Sequence, residues 1–305
     1  MVIETCYRIC GCAVGAAVGD ALGMALEFGP RQPADALVRE MRPGRLPAGS
    51  FTDDTEMALA LAESLLAHKP LDPADLAQRF LDWYRAGPAD IGRQTHAVLS
   101  RFAAGEAWEP AVRDVQRRWP DSAGNGSLMR CWPVALAHWR DLDRLLSDSR
   151  LQSRVTHPHP DCEAACAFVN VAIHYLVHGE APKKAVALAL DAAEVTGELR
   201  ACAEAAPDRR PEDLPNSGWV RHTVESAVWA LLTTDSFEEA LVQAVNLGAD
   251  ADTTGAVAGA LAGAAYGLEA VPLRWREALR GEWPLSSGRM WRAADIVELA
   301  NQLAG

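Results

Sequence analysis

Three short acidic segments carry the side chains with the most chemical potential. The first is Phe51, Thr52, Asp53, Asp54, Thr55, Glu56, which runs straight into the apolar stretch Met57 to Leu61. The second is Asp250, Ala251, Asp252, Thr253, Thr254, which precedes a glycine-rich helical pattern, and the third is the single residue Glu27. Carboxylates mixed with hydroxyls, without cysteine or histidine, are the donor set of Mg²⁺, Mn²⁺ or Ca²⁺. Two like charges about 4 Å apart repel by about 4 kcal/mol at an effective dielectric near 20, so these groups can converge only with protons or cations between them. The first two segments are also what a helix start requires. Asp53 with Glu56 three residues later fits a capping box, and Asp252 could cap the helix that follows it. A cap needs one side chain, however, and both segments supply more. Spacing alone leaves both readings open.

Two further segments could bind a ligand. Gly124, Asn125, Gly126, Ser127, Leu128, Met129, Arg130 is a glycine-flanked turn opening onto a helix, able to cradle a diphosphate or ribose through backbone amides, or to serve as a plain turn and N-cap. Thr156, His157, Pro158, His159, Pro160, Asp161 offers His157 as a donor to a ligand oxygen, or forms a stiff loop into the next helix. His68, His96, His138, His174, His178 and His222 read as surface or core histidines. The ten tryptophans are scattered, as packing residues are. Seven cysteines are an odd number in a chain too large to need disulfide staples, so reduced thiols are expected. Cys6 with Cys10 and Cys162 with Cys166 sit four apart, as core-facing helical pairs do.

The elements that must position these groups are helices. Apolar residues recur at helical spacing over 6–27, 55–67, 73–85, 91–103, 127–138, 162–178, 182–194, 219–233, 237–246, 253–267 and 290–303, and strand patterns are scarce. The turn clusters between them are short, which predicts one all-α domain over 1–305. Gly11, Gly15, Gly19 and Gly23 form a column at spacing four, and so do Gly255, Gly259, Gly263 and Gly267. Each internal glycine costs a helix about 0.5–1 kcal/mol relative to alanine, a loss that close backbone packing offsets. The expected fold is therefore an orthogonal helical bundle around two glycine-rich central helices. If these run antiparallel side by side, Glu27 at the end of one meets Asp250 and Asp252 at the start of the other.

Composition narrows the function classes. The 305 residues are 49% hydrophobic and 23% charged, ordinary values for a folded domain. With 29 Lys and Arg against 41 Asp and Glu the formal charge is −12, which opposes a broad footprint on a nucleic-acid backbone. The membrane-like run 11–28 contains Asp20 and Glu27 and is studded with glycine, so it does not read as a spanning helix. Residues 1–10 offer Arg8 as their one positive charge, offset by Glu4, and do not read as a signal peptide. A cytoplasmic location is expected.

Assembled in order, these segments resemble the ADP-ribosylglycohydrolases, the family of dinitrogenase reductase-activating glycohydrolases and ADP-ribosylarginine hydrolases. The resemblance rests on GAAVGDALGMALEF (15–28), FTDDTEMALAL (51–61), AGNGSLMRCWPVAL (123–136), THPHPD (156–161) and NLGADADTTGAVAGALAGAAYG (246–267). It implies an all-α single domain and a binuclear Mg²⁺ or Mn²⁺ centre, with Thr52, Asp53, Asp54, Asp250, Asp252 and Thr253 as ligands. It further implies that Glu27 stands beside the metal pair, and that Glu27, Asp53 or Asp252 handles protons. Gly124, Asn125, Gly126, Ser127, Met129 and His157 would line an ADP-ribose cleft, with Asp121 just before the turn. Ala25 departs from the proline that many relatives carry before the glutamate. The implied activity is hydrolysis of ADP-ribose from an acceptor on a protein or small molecule, ADP-ribosylarginine above serine-linked, acetyl-linked or nucleobase-linked forms. A non-catalytic relative that binds ADP-ribose is the competing class. The sequence does not indicate an oligomeric state.

Overall fold

The computed structural model describes residues 2–305 and is all-α, a single-domain helical bundle. Its first half runs α1 (Val2–Gly23), α2 (Asp53–Ala67), α3 (Pro73–Arg85), α4 (Arg93–Ala103), α5 (Trp108–Arg118), α6 (Trp132–Ala137), α7 (Leu142–Arg154) and α8 (Pro160–Val177). The second half runs α9 (Pro182–Ala192), α10 (Gly197–Ala205), α11 (Val220–Leu232), α12 (Phe237–Val245), α13 (Ala251–Tyr266), α14 (Leu273–Ala278) and α15 (Ala293–Ala304). A two-residue antiparallel ribbon pairs Gly281 with Trp291 and Glu282 with Met290. No described helix is long and apolar enough to cross a membrane.

Helix α13 is buried from Ala251 to Ala265, so it presents no solvent face at all, and a helix apolar all round belongs in a core. Its closest neighbour is α1, and glycine makes that approach possible. A Cβ added at Gly19 would lie 1.9 Å from the carbonyl oxygen of Gly255, one at Gly15 2.3 Å from that of Gly259, and one at Gly11 2.4 Å from that of Gly263. Gly23 meets the carbonyl of Ala251 at 2.3 Å in the same sense. Ascending numbers on α1 face descending numbers on α13, so the two helices are antiparallel. Gly267 closes α13 as the C-cap with φ 82°, and its carbonyl carbon lies 2.7 Å from where a Gly11 Cβ would stand.

Several boundaries differ from the periodicity reading. Helix α1 stops at Gly23, and residues 24–28 form tight turns in which the amides of Leu26 and Glu27 both donate to the Gly23 carbonyl, at 2.8 and 3.1 Å. Glu27 therefore hangs from a turn beyond the helix rather than from its last face. The expected helix at 127–138 begins only at Trp132, with Pro133 in its first turn, leaving 125–131 as turns. The periodicity reading leaves out α5, α7, α10 and α14. In α7 the reason is plain, because its buried face carries Asp148, Ser149, Gln152 and Ser153 beside Leu145. All seven cysteines are free thiols.

The α1–α13 contact predicts the outcome of a small substitution. Gly19→Ala gains helix propensity, yet its methyl group would overlap the Gly255 backbone, so a net loss of about 1–3 kcal/mol is expected from overpacking. Urea denaturation read at constant slope measures it, and an unchanged or raised midpoint contradicts the packing account.

Candidate active site

Because α1 and α13 are antiparallel, the end of the first and the start of the second open at one place. There Glu27, Asp250 and Asp252 each offer a carboxylate oxygen within 4.8 Å of the others. The start of α2 faces the same space, and Glu27, Asp53, Asp54, Asp250, Asp252 and Thr253 all line one cavity of about 620 Å³. Gly124, Asn125, Gly126, Met129 and His157 line it too. Thr52, Asp121 and Ser127 are not in its wall.

The start of α2 is held in a way the sequence did not suggest. A capping box would use Asp53 and Glu56, but the N-cap residue is Thr52, and it makes no cap bond to its own helix. The cap is supplied by Asp20 of α1, which is fully buried. Its carboxylate accepts from the amides of Thr52 at 2.9 Å and Thr55 at 3.2 Å, and from their hydroxyls at 2.8 and 2.6 Å. Glu56 instead accepts from the indole of Trp83 at 2.7 Å. Asp53 and Asp54 are thereby freed from capping and point into the cavity.

Burial dominates the electrostatics. It raises Asp53 and Asp54 well above the usual carboxylate range, with Asp90 and Asp252 adding to the rise at Asp53, and Asp20 and Asp252 at Asp54. Asp250 is pushed up to about 7, first by burial and then by Asp252, against a lowering contribution from Asn125. Asp20 is likewise raised to about 7 by burial, opposed by its bonds from Thr52 and Thr55. Asp252 is raised by burial and lowered by Arg45. Arg45 is the cation of the cluster: it pairs with Glu27, with Asp90 at 2.9 Å and with Asp252 at 3.3 Å. One guanidinium against this many carboxylates leaves an excess of negative charge, and the buried Oδ1 of Asp54 has no hydrogen-bond partner. The donors are hard oxygens throughout, so the set fits a divalent cation of the Mg²⁺ and Mn²⁺ type.

The opposite wall is the glycine turn. It is tied to the loop before α11 by Asn125 N donating to Gly218 O at 3.0 Å and Val220 N to Ala123 O at 2.9 Å. The Asn125 amide donates to Thr223 Oγ1 at 2.8 Å and also to Asp250 Oδ2, so it ties the turn to the acidic cluster. The Cε1–Nε2–Cδ2 edge of the His157 imidazole faces this turn. A Cβ at Gly126 would come within 2.9 Å of His157 Cε1, so that position requires glycine. Burial and the nearby Arg130 guanidinium drive the His157 pKa down to about 3, and the ring is neutral. Ser127 is fully buried and bonds Ser153 Oγ at 2.8 Å, while Asp121 is exposed. Neither touches the cavity.

The sequence reading missed Asp90, Arg45, Arg93 and Trp119. Asp90 and Arg93 lie in the loop and first turn leading into α4, an acidic residue ahead of a helix as at the other sites. Arg93 stacks on Trp119 with 4.4 Å between guanidinium carbon and ring centre, forming one rim of the cavity. Arg45 sits in a loop with no periodic signal, so nothing in its neighbours pointed to the cavity.

Comparison with known proteins agrees with this geometry. The profile of the ADP-ribosylglycohydrolase family matches residues 2–305. The chain belongs to the ADP-ribosylglycohydrolase family. It is 36% identical to the ADP-ribosylarginine hydrolase Tri1 of Serratia proteamaculans over 280 residues, covering 88% of this chain and 74% of that one. It is also 36% identical to the ADP-ribosyl-[dinitrogen reductase] glycohydrolase of Rhodospirillum rubrum over 244 residues, covering 76% of this chain and 74% of the relative. Among solved structures, a chain of an ADP-ribosylglycohydrolase-related protein complex superposes with a TM-score of 0.82 at 38% identity, covering 99% of this chain and 98% of its own. Membership of this family makes the chain a hydrolase, and the acidic cluster is where a metal ion could be held.

Two outcomes follow from the charge balance. Unfolded, Asp250 would lose its proton near its ordinary value of 3.8; folded, it holds the proton until about 7. The unfolded state is thus favoured progressively as pH rises across that window. The metal-free protein should melt at a lower temperature at pH 8 than at pH 6, and millimolar Mn²⁺ should remove most of the difference in a thermal scan. Arg45→Gln should lower the stability of the metal-free protein at pH 8 by about 1–3 kcal/mol, because buried carboxylates lose their one counter-charge. Added Mn²⁺ should narrow the gap between variant and parent, and a gap that widens with metal contradicts this assignment of Arg45.

Proposed function

We propose that this chain is a divalent-metal-dependent hydrolase that removes ADP-ribose from modified arginine on a protein. Two Mg²⁺ or Mn²⁺ ions would be held by Thr52, Asp53 and Asp54 from α2 and by Asp250, Asp252 and Thr253 from α13. When bound, they supply positive charge that orients ribose hydroxyls and steadies developing charge at the anomeric centre. The observation that carries this reading is the convergence of Glu27, Asp53, Asp54, Asp250 and Asp252 on one cavity whose other wall is the glycine turn with His157.

The roles of the chain's own groups follow from their surroundings. Gly124 and Gly126 leave room for a ligand to approach the turn backbone, Asn125 links that turn to Asp250, and Met129 and His157 give the wall an apolar and a polar contact. Glu27, Asp53 and Asp252 are the groups placed to move protons, since their environments raise carboxylate pKa values or hold them in ion pairs that a ligand can displace. Ser127 acts at one remove: it bonds Ser153, whose hydroxyl donates to the His157 carbonyl at 2.9 Å. Asp121 stands at the approach to the turn. The arginine linkage is favoured by the relatives named for ADP-ribosylarginine and for dinitrogen reductase, each 36% identical. The absence of any membrane-spanning pattern among the described helices is compatible with a cytoplasmic place of action.

The test compares release of ADP-ribose from arginine-linked and serine-linked substrates by the Mn²⁺-loaded protein. Faster release from arginine is expected, and release from the serine linkage alone overturns the acceptor assignment. Asp252→Ala should lower turnover by at least about a hundredfold while leaving the helical circular-dichroism spectrum intact. Full turnover in that variant, or in exhaustively chelated protein, refutes the metal mechanism.

A further inference from the structure

Arg130 is fully buried, and among the described residues it has no carboxylate partner. Its guanidinium packs over the Phe80 ring at 4.2 Å and spends its protons on neutral acceptors: Gln152 Oε1 at 3.2 Å, the Gln152 carbonyl at 3.1 Å and Thr156 Oγ1 at 2.8 Å. A guanidinium can only donate, so the Thr156 oxygen is the acceptor in that bond. The same oxygen lies 2.8 Å from His157 Nδ1. Thr156 has one hydroxyl proton, and Nδ1 is the acceptor within reach.

The alternative assignment fails on counting. If Nδ1 carried a proton, Thr156 would accept from both Arg130 and His157, and its own buried proton would have no partner, an unsatisfied donor of the kind folded cores avoid. Nδ1 therefore accepts. A neutral imidazole has a single N–H, which must then be on Nε2. That nitrogen faces the glycine turn, 3.4 Å from where a Gly124 Cβ would stand and 3.2 Å from the Gly126 position, in the wall of the cavity. It makes no hydrogen bond to any described residue. The rest of His157 is clamped, with its amide donating to Ser153 O at 2.7 Å and its carbonyl accepting from Ser153 Oγ at 2.9 Å.

We propose that Arg130 and Thr156 are positioning residues that fix His157 as its Nε2–H tautomer, so that the cavity meets bound ADP-ribose with a permanent donor to a ligand oxygen. The identity of the ligand rests on the function proposed above; the tautomer does not. Neutrality of the ring, driven by burial and the Arg130 charge, leaves no second proton to blur the assignment.

Removing Arg130 empties a core position, so the decisive variant is the isosteric Thr156→Val, with Thr156→Ser as the conservative rescue. ¹⁵N-histidine NMR of the full chain without ligand should show His157 in the Nε2–H form, a mixture of tautomers in T156V, and the Nε2–H form again in T156S. Calorimetry with ADP-ribose should show affinity weakened about three- to tenfold in T156V, the worth of one neutral hydrogen bond, and restored in T156S. An Nδ1–H tautomer in the parent protein, or a T156V spectrum identical to the parent's, overturns the proposal. Should ADP-ribose bind neither protein, the proposed function falls, and the ligand-free spectra alone decide the relay.

Discussion

The backbone contact between α1 and α13 is the constraint on which the site depends. Three glycines on each helix, with Gly23 against Ala251, let two backbones approach more closely than any side chain would permit. That approach fixes direction and register together: a shift of one residue along either helix would put Cβ atoms where carbonyl oxygens now lie. With register fixed, the distance between the turn bearing Glu27 and the start of α13 bearing Asp252 is fixed as well. The carboxylates are gathered by packing elsewhere in the bundle, and their own mutual repulsion has no say in the matter.

Gathering them creates an electrostatic load that the protein handles in layers. Asp20 takes up the α2 amides from a neighbouring helix, so the carboxylates at that terminus need not fold back as caps. The positive end of the α2 dipole then faces the cavity along with Asp53 and Asp54 and lightens their repulsion. Arg45 neutralises part of what remains while staying a quarter exposed. Even so, Asp250 stays near 7 and Asp54 keeps an unpartnered oxygen, a residue of charge that folding alone does not resolve. A cluster left in this condition is one where a divalent ion could be held.

Much of this was legible in the sequence because the informative residues are unusual for their element. Glycine at spacing four inside a helix is costly, and acidic residues exceeding the needs of a cap are surplus, so both called for a tertiary explanation. All five segments on which the family resemblance rests line the site, but so do residues 90–95, Trp119, Ser122 and Gly218, which no motif marked. What escaped detection did so for physical reasons. Asp20 looks like a lone polar residue in an apolar run, and its role as a cap depends on a helix more than thirty positions away. Arg45 and Asp90 lie in loops without periodicity. Helix α7 buries polar side chains against the His157 and Arg130 layer, so the apolar rhythm that betrays other helices is missing from it. The resemblance gave Ser127 to the cleft and Thr52 to the metal; the Ser127 hydroxyl is instead engaged with Ser153, and the Thr52 hydroxyl gives its proton to Asp20, which leaves its oxygen lone pairs for an ion.

The two walls of the cavity illustrate opposite uses of burial. On the acidic wall, burial makes carboxylates hold their protons more tightly and leaves them short of positive charge. On the turn wall, burial strips His157 of its charge and surrounds Arg130 with neutral acceptors, so that a cation is stored in the core without a counter-ion. Arg130 keeps its charge because an unperturbed guanidinium titrates far above neutrality, and even a pKa lowered to about 9 leaves it protonated at pH 7. Its field is therefore a permanent property of the fold, directed through Thr156 at a ring that cannot respond by gaining a proton. A ligand with a negatively charged diphosphate and a reactive sugar meets the matching surface on each side: a fixed donor under a buried positive charge at one wall, and oxygen donors in need of cations at the other.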